Sequence, residues 1–209
     1  MIQIKNRYNG KVIKEVESLS DSNLSYSNLS DSDLSYSDLS YSDLRGSDLR
    51  DSNLRGSNLR GSNLRYSDLR DSDLRGSNLR GSDLRYSDLS NSDLSNSDLR
   101  GSNLSNSDLS NSDLSNSDLR GSDLSHSDLR GSDLRIIIGN GKEIKSLQIG
   151  TYMVSYHKDI LNIGCQSHTL DKWIAFTDEE IDAMDKGTSL DWWKLNKDIL
   201  VTLVKREIK

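Results

Sequence analysis

From Leu24 to Leu134 a leucine falls at every fifth position, in 23 consecutive units of the form Ser-(Asp/Asn)-Leu-(Ser/Arg)-x. A period of five suits neither common element. On an α-helix five residues advance about 500°, so the leucines would spiral around the axis. On a flat strand an odd spacing sends them to alternate faces. They can share one core only if the chain turns between them. A coil with five-residue sides does this, with one leucine pointing inward per side.

The variable fifth position reports how many sides make a coil. Between Tyr26 and Ile136 its identity matches in 9 of 19 pairs at a lag of 20 residues, against 5 of 20 at a lag of 15. Asp31, Asp51 and Asp71 match in this way, as do Gly61, Gly81, Gly101 and Gly121. Residues 52–71 and 72–91 are nearly the same text, so recent duplication contributes, but the duplicated unit is again 20 residues long. Four sides per turn is the expectation. Nearly six coils at about 4.8 Å each make a rod of roughly 28 Å.

Without the repeat, composition would point toward disorder: 33% of residues are hydrophobic and 29% are charged. The repeat overrides that inference, because stacked units bury a continuous core that no single unit could. The chain has no proline, so every backbone N–H after the first residue is free for ladder bonds.

The pattern resembles the pentapeptide-repeat family, whose usual unit is Ala-(Asp/Asn)-Leu-x-x. The resemblance covers about 115 residues. It implies a mainly β chain built as a right-handed quadrilateral β-helix, with Leu24, Leu29 and their successors at the inward central position. Ser22, Ser27 and their successors would fill the second inward position. There the chain departs from the family, which prefers alanine. A buried hydroxyl without a partner costs on the order of 1–3 kcal/mol. These hydroxyls are therefore expected to donate to backbone carbonyls of their own or a neighbouring coil.

An open β-helix exposes unpaired edges unless they are covered. Residues 2–8 and 11–17 alternate in polarity around Asn9-Gly10, a tight-turn signal, and predict a β-hairpin cap over residues 1–18. Leu19 keeps the spacing but lacks the rest of the motif. The β-helix is assigned to residues 19–136 and a C-terminal α+β capping domain to residues 137–209. In that domain Ile136–Ile138, 142–149, 151–157 and 160–165 read as strands. Thr169 opens a helical turn through Trp173. Thr177 with Glu180 forms a capping box for a helix over 178–185. Thr188 with Asp191 starts a longer helix to about residue 206, with Trp192, Leu195, Ile199, Leu203 and Val204 as its apolar set. The opening hairpin and Ile163-Gly164-Cys165, His168-Thr169 and Trp192-Trp193 also resemble pentapeptide proteins of tailed phages and prophages, which implies a phage origin and gives no activity.

The net charge of −6 argues against direct nucleic-acid binding and against anionic membranes. No apolar run approaches the roughly 20 residues of a membrane span. The start, Met1–Gly10, has no signal-peptide apolar core. Cys165 is the single cysteine, so no intrachain disulfide can form, and a cytoplasmic location is expected. Cys165 and His168 have half of a metal-site spacing, but zinc needs three or four ligands and no second cysteine exists. No metal and no cofactor are expected. The abundant Ser and Asp side chains are repeat text, and a near-uniform lattice lacks the unequal neighbours of a catalytic centre. The expectation is a non-enzymatic interaction or scaffold protein with an unknown protein partner.

Charge is uneven along the rod. Residues 21–42 hold four aspartates and no arginine, residues 43–87 nine arginines against seven acids, and residues 88–133 nine aspartates against three arginines. Arg60, Arg80, Arg100 and Arg120 lie 20 apart and form a candidate surface ladder. The family resemblance offers an alternative, since some members imitate duplex DNA and bind type II topoisomerases. A duplex mimic needs dense negative charge, about one per 1.7 Å of axis, and the waist of this rod is positive. Trp192, Trp193, Leu195, Ile199, Leu200, Leu203 and Val204 are candidate self-association residues, because a helix apolar on two sides is shared with a partner or sandwiched in its own domain. A homodimer is the corresponding expectation.

Overall fold

The computed structural model describes residues 1–158, 160–185 and 188–207. Parallel bridges join residues 20 apart without interruption, from Asn23↔Asp43 to Asp118↔Ile138. Each turn therefore takes four pentapeptides. Three backbone bonds per side hold successive turns, as in Leu44 N–H to Asn63 O, Gly46 N–H to Arg65 O, and Asp43 N–H to Ser22 O. The leucines from Leu24 to Leu134 are buried in one continuous core.

The corners explain the unit. The serine N–H bonds to the leucine carbonyl three residues back, as in Ser77 to Leu74 at 3.0 Å. The fifth residue of every unit, from Asp21 to Ile136, has φ between +53° and +72°, and the residue before it does not. That is a type II turn, whose third position calls for Gly or Asn. The variable position is thus restricted to residues that accept a left-handed backbone: mostly Gly, Asn and Asp, with Tyr at five places. The Asp/Asn position is fixed by the same corner. Its side-chain oxygen accepts the N–H two residues on, as in Asn78 Oδ1 from Arg80 at 3.1 Å.

The inward serines donate to leucine carbonyls, as expected. Ser42 and Ser62 reach Leu39 and Leu59 of their own turn. Ser92 and Ser117 reach Leu69 and Leu94 of the previous one. Among the exceptions, Ser77 meets only Ser97 Oγ, at 3.4 Å, and Ser32, Ser52 and Ser57 have buried hydroxyls with no partner among the described residues.

The N-terminal strands β1 (Ile2–Asn6) and β2 (Val12–Val16) are antiparallel. They are shorter than expected, and their connection is not a two-residue turn. The Asn6 side chain caps the N–H groups of Tyr8 and Asn9, and the register slips between Ile4 and Lys5. Strand β1 also pairs with the two-residue strand β3 (Ser32–Asp33), and Ile4 is buried in the rod core. Leu19 lies in the same core and Asp21 already has the corner conformation.

At the other end, Ile136–Ile138 is not a strand. Ile136 takes the corner position, Ile137 the inward serine position, and Ile138 bridges to Asp118. Gly139 then stands where leucine is due, and Ile144 fills the core there. A Cβ on Gly139 would lie 2.2 Å from the Ile144 carbonyl oxygen.

Beyond it, β4 (Lys145–Ile149), β5 (Tyr152–His157), β6 (Ile160–Ile163) and β7 (Gln166–Thr169) form an antiparallel meander in that order. Strand β7 was not expected, because Gln166-Ser167-His168-Thr169 carries no apolar alternation. Helices α1 (Leu170–Ala175), α2 (Asp178–Asp182) and α3 (Ser189–Glu207) follow. Thr169 caps α1, and Thr177 and Glu180 form the expected capping box of α2, which ends three residues early. A second apolar core gathers Val154, Leu161, Trp173, Ile181, Trp193, Leu200 and Val204. Ser155 Oγ donates to Leu134 O, and Arg135 donates to Cys165 O, joining sheet and last coil.

Candidate interaction surface

Where the position two residues after Asp/Asn is arginine rather than serine, the side chain stands at the rim of its side. Where the earlier residue is aspartate, the two form a forked pair. Arg70 donates to both oxygens of Asp68, at 2.8 and 2.5 Å, and Arg120 and Arg130 do the same with Asp118 and Asp128. Several arginines also reach the aspartate of the next turn, as Arg75 reaches Asp93 at 3.4 Å. The forked donors favour the carboxylate form. The Arg70 guanidinium holds Asp68 below the usual carboxylate range, and the Arg130 side chain and backbone N–H bring Asp128 down to about 2.

Where the earlier residue is asparagine, no such pair forms. Asn63 precedes Arg65, which still reaches Asp83 at 3.9 Å, and Asn53, Asn58 and Asn78 precede Arg55, Arg60 and Arg80. Among the described residues none of these three arginines has a carboxylate within 4 Å. The Asn58 amide instead donates to Asp38 Oδ1 at 3.0 Å, and the Arg60 guanidinium lies 5.9 Å from the Tyr41 ring. All three side chains are exposed.

The stacking therefore brings Arg60, Arg80, Arg100 and Arg120 to equivalent positions of successive turns. Chemically the row divides in two. Arg100 and Arg120 are neutralised by Asp98 and Asp118, while Arg60 and Arg80 are not. Arg55, at the far edge of the same side, joins them. The outward residues of that side in two adjacent turns are Asn58 and Asn78, and Gly56, Gly61, Gly76 and Gly81 stand at its corners. The result is a low basic patch whose arginines hold no forked carboxylate, although Arg55 and Arg80 still help to lower Asp73 and Asp98 of the next turn through space. It was legible in the alternation of Asn and Asp two residues before each arginine, but only once the pairing across that spacing is known.

Tyrosines shape the corners above it. Tyr26, Tyr36 and Tyr41 lay their rings over Gly46, Gly56 and Gly61 of the next turn, where an added Cβ would come within 2.7 Å of ring carbons. Tyr66 and Tyr86 stack with centroids 5.1 Å apart.

The self-association residues separate as well. Helix α3 turns Trp193, Asn196, Leu200 and Val204 into its own domain, not the expected set that includes Leu195 and Ile199. Trp193, Leu200 and Val204 are consumed by that core. Trp192 packs against its edge, and its indole N–H donates to Ile149 O at 2.9 Å. Leu195 is 79% exposed, Ile199 is 58% exposed and Leu203 is half-buried.

Cys165 is exposed, and the His168 ring packs edge-on against Trp173 and Phe176. Burial, with nearby Lys172, holds the His168 imidazole below its ordinary pKa. Among the described residues no three His, Cys, Asp or Glu side chains are grouped to hold a metal ion. No helix of the described residues is long and apolar enough to cross a membrane.

A pentapeptide repeat protein of the Arabidopsis thaliana thylakoid lumen is 30% identical over 44% of this chain and 65% of its own, with a TM-score of 0.44. The chain thus spans slightly less than two thirds of that relative. A pentapeptide repeat protein of Nostoc is 29% identical over 52% of this chain and 84% of its own, with a TM-score of 0.26. The plasmid-mediated fluoroquinolone resistance protein QnrB1 is 22% identical over 53% of this chain and 65% of its own, with a TM-score of 0.25. None of the curated proteins matches the chain significantly. The family profile for pentapeptide repeats matches residues 18–51, 47–81, 63–101 and 97–135, together more than half of the sequence. With the 20-residue stacking and the buried leucine column, this makes the chain a member of the pentapeptide repeat family, mainly β and built of stacked four-unit coils.

Proposed function

We propose that this is a non-enzymatic interaction protein, a four-sided β-helical rod that binds an acidic protein partner through its waist. Residues 1–18 act as the N-terminal cap, residues 19–136 as the rod and residues 137–209 as the C-terminal cap. The observation that carries the reading is the contrast between Arg60 and Arg80, which lack carboxylates, and Arg100 and Arg120, which own them. A guanidinium already forked to an aspartate offers a partner little, because that ion pair would have to be exchanged. Unpaired guanidiniums about 4.8 Å apart, on a rigid ladder, present planar donors to a partner's carboxylates at small entropic cost. A cytoplasmic setting fits a chain with one cysteine. The phage resemblance names no partner and adds nothing to the choice.

The test is capture of partners from host extract by wild type, by Arg60→Glu/Arg80→Glu and by Arg100→Gln/Arg120→Gln. The first variant should lose an acidic partner that the second retains. Equal loss, or equal retention, would overturn the assignment. Mimicry of duplex DNA is the competing reading, with the column Asp31, Asp51 and Asp71 on another corner as its acidic feature. Inhibition of gyrase supercoiling by the added protein would favour it. A homodimer would use Leu195, Ile199 and Leu203, and sedimentation equilibrium of wild type against Leu195→Lys/Ile199→Lys tests it.

A further inference from the structure

A cavity of about 280 Å³ opens between the β5–β7 edge of the C-terminal sheet and helices α2 and α3. Its walls are aromatic: Tyr152, Trp173, Trp192 and Trp193 all line it, with Asp185 and Cys165 among its other lining residues. The chain has three tryptophans, and every one of them borders this space.

The rings are fixed by bonds that remove their donors from the cavity. Trp173 Nε1 donates to Leu161 O at 2.7 Å and Trp192 Nε1 to Ile149 O at 2.9 Å. Tyr152 and Trp192 meet edge to face at 5.0 Å, and Trp173 and Trp193 lie 5.3 Å apart. With the indole N–H groups spent on backbone, the two indoles offer a ligand chiefly their π surfaces.

The charge of the cavity is one-sided. Among the described residues, Asp185 is the only one with a formal charge that lines the cavity. The Tyr152 hydroxyl donates to its Oδ2 at 2.5 Å, which orients the carboxylate and leaves Oδ1 without a hydrogen bond among the described residues. Among the described residues no lysine, arginine or histidine lines the space. Aromatic faces together with one carboxylate attract a cation and disfavour an anion. The outer surface of the same aromatic cluster already does so, with Lys197 Nζ 5.6 Å from the Trp193 ring and Lys172 Nζ 4.7 Å from the Phe176 ring. The volume suits one small head group and excludes a drug-sized ligand.

We propose that this cavity is a binding site for a small alkylammonium group, of the quaternary or methylated-amine type. The rings desolvate and surround the methyl groups, and Asp185 supplies the counter-charge. The site is separate from the arginine patch of the rod and does not rest on the reading of that patch.

Because all three tryptophans line the cavity, intrinsic fluorescence reports on it directly. The full chain is titrated with choline, with a peptide carrying Nε-trimethyllysine, and with the neutral isostere 3,3-dimethylbutanol. Choline or the peptide should give a saturable change, with the isostere at least about tenfold weaker. The tighter of the two cations identifies a free small molecule or a protein side chain as the source. Asp185→Asn, which keeps an acceptor for Tyr152, should weaken the cation about tenfold while leaving the isostere unchanged. Thermal melts confirm that the variant is folded, and the ligand series on the wild type needs no variant. Equal binding of cation and isostere, no saturable change up to about 10 mM, or an Asp185→Asn protein that binds as the wild type does, would overturn the proposal.

Discussion

Gly61 and Gly81 occupy the same corner in adjacent turns, with φ of +65° and +67°. Alanine at either pays the same backbone term, about 1–2 kcal/mol for a left-handed residue with a Cβ. Restriction of the unfolded chain returns about 0.4–1 kcal/mol of that. The surroundings differ. A Cβ on Gly81 meets nothing within 4 Å, whereas a Cβ on Gly61 would lie 2.7 Å from Tyr41 Cε1. Gly81→Ala should therefore cost about 0.5–1 kcal/mol. Gly61→Ala should cost that and, in addition, the burial of a ring that is 55% exposed and must swing off its glycine. At about 25 cal/mol per Å² this addition is about 1–2 kcal/mol. For a chain of this length each kcal/mol moves Tm by about 2–4 °C. Thermal melts of both variants, and of each in a Tyr41→Ser background, measure the difference. The background substitution should erase it, since the two residues are then uncoupled. Equal destabilisation of the two single variants would refute the seating of Tyr41 on Gly61. A Gly81→Ala protein more stable than wild type would refute the left-handed corner.

Leu79 is fully buried in mid-rod, so Leu79→Asp should place an unpaired charge in the core and cost at least about 3–5 kcal/mol; an unchanged melting midpoint would contradict the inward column. Ser77→Leu should overpack its buried site by about 1–3 kcal/mol, while Ser77→Ala should be mild, because its hydroxyl has only Ser97 Oγ at 3.4 Å as a partner. Chemical denaturation of the pair decides, and an alanine variant less stable than the leucine variant would show a network role for the hydroxyl. Asp43, Asp68, Asp73 and Asp128 are all held below their ordinary pKa by forked arginines, Asp128 down to about 2. Depressed folded values give stability that is present above about pH 4 and lost as pH falls toward those values. Melts should be flat from about pH 7 to 5 and decline below about pH 4, and a midpoint at pH 3 equal to that at pH 7 would count against the pairs.

Much of the rod was legible because its determinants are local. A type II corner is closed by a bond three residues long, an Asx contact two residues long and one residue in the left-handed region. Five positions repeated without a break carry all three, so the inward leucine and the polar corner followed from the text. The 20-residue turn was legible for a different reason. Residues 20 apart occupy the same corner of adjacent turns and touch, as in the stacked Tyr66–Tyr86 pair, so matching residues recur at that spacing. Within Ile136–Ile138 the same text misled, because three β-branched residues read as a strand when the last coil dictates their backbone.

The sequence by itself determined the leucine column, the serine column, the stacking period and the capping box at Thr177, since each depends on contacts within a few residues or on exact repetition. Tertiary structure alone decided the rest. The phase of α3 was ambiguous because Trp192, Trp193, Leu195, Ile199 and Leu200 spread over about 160° of its circumference, wider than a single buried stripe. Packing on α2 and into the cluster of Val154, Leu161, Trp173 and Ile181 chose Trp193 and Leu200. Strand β7 exists because β6 offers it an open edge, not because Gln166–Thr169 favours it. Hairpin pairing with Ser32–Asp33, the replacement of a leucine by Ile144, and the meeting of three distant aromatic segments around one cavity all join residues far apart in the chain. No local pattern encodes such contacts, because their free energy arises only when the separate elements bury their surfaces against one another.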